Sequence, residues 1–269
     1  MPLPVNQTCP PEVDGLLHST DATDGVRARL RFWLGCDPAR LLWPSRCLVC
    51  GEPGSEALDL CDACEQALPR NHSACGSCAI PLPMPAPACG ACLRRSGWLA
   101  RRGSGSAVAA VHAPFVYARP LDRLLPRYKF HDDLAAGRLL AQLMTQALAS
   151  APRPDALIPV PLHRSRLRRR GYDQALELAR PLAGALGLPL IAEALVRTRA
   201  TDAQSCLSAS HRRRNLRDAF AVRPGARLPA HVVLVDDVMT TGATLQAAAS
   251  ALRRAGVARV DAWVCARTP

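Results

Sequence analysis

The run Val232-Val233-Leu234-Val235-Asp236-Asp237-Val238-Met239-Thr240-Thr241-Gly242-Ala243-Thr244-Leu245 carries the plainest signal in this 269-residue chain. Its four aliphatic residues read as a buried strand, and two carboxylates stand where that strand is expected to end. A loop of threonines with one glycine follows and opens a helix, gathering hydroxyls and backbone N–H groups at the positive end of the helix dipole. This is a phosphate cradle with hydrogen-bond acceptors beside it. A sugar phosphate fits, its phosphate in the Thr240, Thr241, Gly242, Ala243 and Thr244 loop and its vicinal hydroxyls donating to Asp236 and Asp237. The bland alternative, an acidic strand end before an ordinary helix, leaves the coincidence of these parts unexplained.

The flanking pattern alternates strands and helices. Residues 107–117 read as a strand, Leu139, Leu140, Leu143, Met144, Ala147 and Leu148 trace a helical face, and residues 156–160 form a short buried strand. A helix over 173–186, strands at 188–191 and 231–235, a helix over 242–255 and a strand at 259–265 complete the series. Such alternation predicts an α/β fold with a parallel, doubly wound sheet and ligands at the carboxyl ends of its strands.

Twelve cysteines in a chain without an export pattern point to metal rather than disulfides. Cys47 and Cys50, Cys61 and Cys64, Cys75 and Cys78, Cys89 and Cys92 form four CxxC pairs, each separated from the next by ten residues. Each knuckle spans two corners of a tetrahedron, so four pairs accommodate two Zn²⁺ ions, each closed by four thiolates and therefore structural. The expected pairing is sequential, Cys47, Cys50, Cys61 and Cys64 on one ion and the remaining four on the other; spacing alone permits a crossed pairing too. Cys9, Cys36, Cys206 and Cys265 have no partner at ligand spacing. The resulting organisation is a leader at 1–25, a short helix at 26–44, a double zinc ribbon at 45–93, a linker at 94–106 and a larger domain at 107–269.

Composition narrows the chemistry. Hydrophobic residues make up 49% and charged residues 21%, enough for a buried core. No stretch reaches the apolar length of a membrane helix, so the default location is cytoplasmic. The formal charge of +12 comes almost wholly from arginine, with Lys129 the only lysine. Lys129 follows no glycine-rich loop, which excludes a GxxxxGK[ST] phosphate loop. Guanidinium groups match phosphate oxygens, and two arginine runs stand out: Arg164, Arg166, Arg168, Arg169 and Arg170, then Arg212, Arg213, Arg214 and Arg217. Either run reads as a solvated face or as a contact to nucleic-acid phosphates. Aromatics are only 4% of the chain, so any single-stranded DNA would be held by backbone charge more than by base stacking.

On these residues the chain resembles a known family. The 232–245 segment looks like the 5-phosphoribosyl-1-diphosphate (PRPP) signature of type I phosphoribosyltransferases. With Val160-Pro161-Leu162-His163, the 164–174 run RSRLRRRGYDQ, and Gln204-Ser205-Cys206-Leu207-Ser208 before Arg212 and Asn215, it is similar to the ComF/GntX family. Those are competence-associated proteins with a cysteine-rich zinc module ahead of a phosphoribosyltransferase domain, and the likeness covers about 41–267. It departs at Asp173, where the family usually has asparagine, and at His211, where it usually has glutamate.

The resemblance implies a central, mostly parallel sheet flanked by helices. It also implies ribose contacts from Asp236 and Asp237, and a 5-phosphate held by residues 240–244. The diphosphate would face the turn at Pro161 and Leu162 near Arg170 and Gln174, with Mg²⁺ bridging its oxygens, and a flap at 197–217 would cover the site. Two functions fit equally. One is a PRPP-binding protein of DNA uptake, contacting single-stranded DNA and a protein of the DNA-processing machinery. The other is an active phosphoribosyltransferase whose acceptor is an amine or nucleobase. Residues 128–131 are expected near a hood over the acceptor, with Lys129 either on a phosphate or in a surface salt bridge.

Overall fold

The computed structural model describes residues 45–55, 58–94, 106–199 and 219–269. The expected leader, the helix at 26–44, most of the linker, most of the flap, and Cys9, Cys36 and Cys206 lie outside the described residues. Within residues 45–269, one compact unit, the elements run α1 (Asp62–Gln66), β1 (Val111–His112), β2 (Phe115–Val116), α2 (Leu121–Phe130), α3 (Leu134–Leu148), β3 (Ala156–Pro159), α4 (Arg164–Arg170), α5 (Gln174–Leu186), β4 (Leu195–Arg197), β5 (Phe220–Val222), β6 (His231–Met239), α6 (Ala243–Arg254) and β7 (Arg259–Arg267).

The main sheet is parallel, in the order β1-β7-β6-β3, with β2 also on β7. β4 and β5 form a separate antiparallel pair. The expected strand at 107–117 is thus broken into β1 and β2, and that at 188–191 reduces to a single bridge from Leu190 to Leu157. β6 outruns its expected end at Val235, because its register on β7 continues through Val238 opposite Ala266 and Met239 opposite Arg267. Asp236 and Asp237 therefore lie inside the strand, not after it.

Side chains alternate across a strand, and two apolar cores follow. Val233 and Val235 of β6, with Trp263 and Cys265 of β7, pack on one face with α2, α3 and α5. Val232 and Leu234, with Val260, Ala262 and Val264, pack on the other with α6, β4 and β5. α2 and α3 approach closely because Gly137 lacks a side chain; a methyl group there would collide with the ring of buried Tyr128.

The cysteine-rich module joins the sheet directly. Arg70 bridges antiparallel to Phe115 of β2. The Val116 amide donates to the Pro69 carbonyl at 2.8 Å, and the Asn71 amide to the Pro114 carbonyl at 2.8 Å. Asn71 Nδ2 also donates to the carbonyls of Ala79 (2.9 Å) and Ala113 (3.1 Å). At the opposite end of the strands, buried Asp261 accepts from the Ala110 amide and pairs with His231 and Arg259. No described helix is long and apolar enough to cross a membrane.

Candidate functional site

The strand alternation that builds two cores also sends the two carboxylates to opposite faces of the sheet. Asp237 follows Val233 and Val235 toward α2, where its Oδ1 lies 2.9 Å from Lys129 Nζ. It also accepts from the Val238 amide at 2.5 Å. Asp236 follows Val232 and Leu234, and its Oδ1 accepts from the Asp237 amide at 2.9 Å. Burial, then the Asp237 charge, push the Asp236 carboxyl up to about 8, although Lys129 works the other way. Burial alone would depress the Lys129 ammonium, but Asp237 outweighs it and holds the group above its ordinary range. Behind the pair, burial pushes the Cys265 thiol up to about 12, leaving it a neutral packing group.

Past Met239 the chain turns through exposed Thr240 and Thr241 to Gly242 at φ +73°, the left-handed region. Gly242 caps α6 and supplies no side-chain hydrogen bond of its own, while the Ala243 amide donates to Thr241 Oγ1 at 3.4 Å. The amides at the head of α6, with Thr244 among them, form a helix N-terminus, an anion-binding arrangement. A cleft of about 220 Å³ separates this loop from the second cysteine group, with Ser77, Cys78, Ser106, Met239, Thr241 and Gly242 among its walls. Arg267, 8% exposed, ties the two sides together: its Nε donates to the Cys78 carbonyl at 3.0 Å and its Nη1 to the Met239 carbonyl at 3.2 Å.

The turn after β3 holds half-buried Pro161 and Leu162. Asp173 stands across from it as the N-cap of α5, accepting from the Leu176 amide at 3.2 Å with one oxygen and from the Leu162 amide at 2.9 Å with the other. An asparagine has only one acceptor oxygen for those two amides, which gives the carboxylate at this position a structural reason. Burial raises the Asp173 carboxyl, and its amide donors counteract it. Gln174 is 2% exposed, and Arg170 stacks over the Phe130 ring at 5.1 Å. On α4, Arg164, Arg168 and Arg169 are exposed and Arg166 half-buried. Arg212, Arg213 and Arg214 lie outside the described residues.

Two residues stand closer to the carboxylates than the sequence reading specified. Lys129, one of the residues expected near the hood, forms a salt bridge to Asp237 with its side chain 22% exposed. Its being the only lysine was the available signal. Arg197 of β4 is depressed by burial and by the nearby Arg166 charge, and Asp236 opposes that shift. Arg197 therefore stands on Asp236's side of the sheet. No sequence signal distinguished it among so many arginines.

The cysteines fall into two groups, Cys47, Cys50, Cys61 and Cys64, then Cys75, Cys78, Cys89 and Cys92, the sulfurs of each group all within 4.8 Å of one another. Cys50 and Cys61 sulfurs are 3.7 Å apart and those of Cys78 and Cys89 are 3.9 Å apart. A zinc ion with Zn–S bonds of about 2.3 Å sets tetrahedral edges of roughly 3.8 Å, so the donor set and its spacing fit structural zinc.

Residues 39–93 match the double zinc ribbon domain and residues 170–269 the phosphoribosyl transferase domain. Competence protein F of Haemophilus influenzae is 40% identical over 159 residues, 56% of this chain and 69% of that protein. The chain belongs to the competence protein F family. DNA utilization protein YhgH of Salmonella typhi is 41% identical over 161 residues, again 56% of this chain and 69% of that protein. Among solved structures, a glutamine PRPP amidotransferase from B. subtilis is 25% identical, covering 46% of this chain and 25% of that chain at a TM-score of 0.33. In this member of the competence protein F family, a type I phosphoribosyltransferase domain with a mostly parallel sheet and flanking helices follows a double zinc ribbon.

Proposed function

We propose that this chain binds PRPP through Asp236, Asp237 and the 240–244 loop, and works in DNA uptake or handling with single-stranded DNA as a partner. The observation that carries the reading is a carboxylate pair at the carboxyl end of a central parallel strand, followed at once by the Gly242 turn and a helix N-terminus capped by that glycine. Vicinal hydroxyls donate to carboxylates, and a 5-phosphate accepts from the α6 amides and the threonine hydroxyls. The diphosphate end faces Pro161 and Leu162, with Arg170 and Gln174 in the same neighbourhood. Mg²⁺ would supply neutralisation of the diphosphate charge there. The relatives' names, a competence protein and a DNA utilization protein, support the cellular setting and with it the reading of the protein as cytoplasmic. The zinc ribbon then serves as a rigid dock for a protein of the DNA-processing machinery.

The α4 arginines, with Arg212, Arg213 and Arg214, are the candidate DNA contacts. Four phosphate contacts from Arg164, Arg166, Arg168 and Arg169 correspond to a slope of roughly −3 in log affinity against log salt. An affinity that does not change with salt refutes the arginine contacts.

The second reading is an active transferase. There an amine or nucleobase attacks the anomeric carbon, the new C–N bond forms, and the C–O bond to diphosphate breaks. One experiment separates the two. PRPP and Mg²⁺ are titrated into the protein, and diphosphate release is followed with a panel of amines and bases and with single-stranded DNA. Binding without release supports the first reading; release that needs one acceptor supports the second. Retention of PRPP binding in the Asp236→Ala, Asp237→Ala double variant refutes the shared site.

A further inference from the structure

The strongest unexplained placement is that of Lys129. In a chain whose other basic side chains are arginines, one lysine stands in the only position that meets a β6 carboxylate from α2. An ammonium is a compact point charge with three donors, and it is this charge that reaches Asp237. The residues on either side of Lys129 are gripped by the segment from Arg170 to Gln174. Tyr172 Oη donates to the Tyr128 carbonyl. Tyr128 Oη donates to the Gln174 carbonyl at 2.6 Å, and the two tyrosine rings lie 5.8 Å apart. Arg170 covers the Phe130 ring. Three alternating residues of one segment thus hold Tyr128 and Phe130 on either side of Lys129, whose side chain meets Asp237.

We propose that Lys129 is a positioning residue for the sugar-binding carboxylates, holding Asp237 turned to accept from a ligand hydroxyl, and that the Arg170-to-Gln174 segment is the clamp that sets Lys129 in place. The ligand part of this rests on the PRPP reading above; the pairing part does not. Arg170 and Gln174 then act on the site through the lysine. The groups facing the pair are Asp236 and Asp237 on β6, Lys129 on α2, Tyr117 after β2, Asp173 at the head of α5, Cys265 on β7, and Arg197 on β4 at Asp236. Lys129 opposes protonation of Asp236, so its removal lets that carboxyl hold its proton to higher pH.

The test compares wild type, Lys129→Gln, Lys129→Arg and Tyr172→Phe. NMR titration of the Asp236 carboxyl in ligand-free protein gives the first readout, and calorimetric binding of PRPP with Mg²⁺ between pH 6 and 9 the second. The expected result is a midpoint for Asp236 at least half a pH unit higher in Lys129→Gln, unchanged in Lys129→Arg, with intermediate behaviour in Tyr172→Phe. PRPP affinity falls about tenfold in Lys129→Gln and returns toward wild type in Lys129→Arg. An Asp236 midpoint identical in Lys129→Gln and wild type overturns the proposal whether or not PRPP binds. If the midpoint moves while wild type fails to bind PRPP, the pairing stands and the PRPP reading alone falls. Far-UV circular dichroism identifies a variant that fails to fold, in which case Lys129→Arg against Tyr172→Phe decides on the same midpoint.

Discussion

The Asp236 carboxyl, pushed up to about 8 by burial and by Asp237, works against stability. In an unfolded chain it titrates near 3.9. Between those values the folded state keeps a proton that the unfolded state has released, so this residue's contribution to stability falls as pH rises from about 4 to about 8, and is level above. Asp236→Asn removes the penalty. Its melting temperature is expected to match wild type near pH 4 and to exceed it increasingly toward pH 8.5, at about 2–4 °C per kcal/mol for a chain of this size, while PRPP binding is lost. Calorimetric melts across that range check it, and a gain that does not grow with pH counts against buried protonation. At this scale the two aspartates were legible in the sequence as a pair, but their division was not. Only the alternation of β6 shows that one faces Lys129 and the other Arg197.

The loop from Met239 to α6 works as an element because Gly242 adopts φ +73°. A side chain in that conformation costs about 1–2 kcal/mol, and a Cβ would stand 2.5 Å from Met239 Cε. Gly242→Ala is therefore expected to lower stability by about 1–2 kcal/mol in urea melts and to weaken PRPP binding more than Thr240→Ala does. Equal binding by both variants would separate the turn from the phosphate. The strand, loop and helix here were legible because aliphatic runs and a glycine before a helical period are local signals. Where β6 ends was not, since strand pairing with β7 through Met239 is a long-range fact. α2 carries its apolar residues at 121, 124, 125 and 128, a helical spacing, yet Pro126 in its middle disguises it. β4 and β5 are three residues each, too short for a period to declare itself.

In the molecule as a whole, two zinc-type tetrads and a phosphoribosyltransferase sheet share bonds rather than a tether. Arg267 joins the Cys78 carbonyl to the Met239 carbonyl. Arg267→Ala leaves these part-buried acceptors without that donor, at about 1–3 kcal/mol, and hydrogen exchange is expected to quicken both at residues 78–80 and in the 240–244 loop. Faster exchange on one side only would show that the arginine does not couple them. The cysteine spacing made the tetrads legible, but nothing in the sequence announced that residues 69–71 would lie along β2. That pairing has a practical sequel. An uncovered strand edge is a template for other chains, so stripping the metal should do more than loosen a small module: it should expose backbone that recruits neighbouring copies. Cells short of zinc would then accumulate this protein as insoluble aggregate rather than as soluble protein with an empty ribbon, and the metal supply would set how much of it exists in usable form.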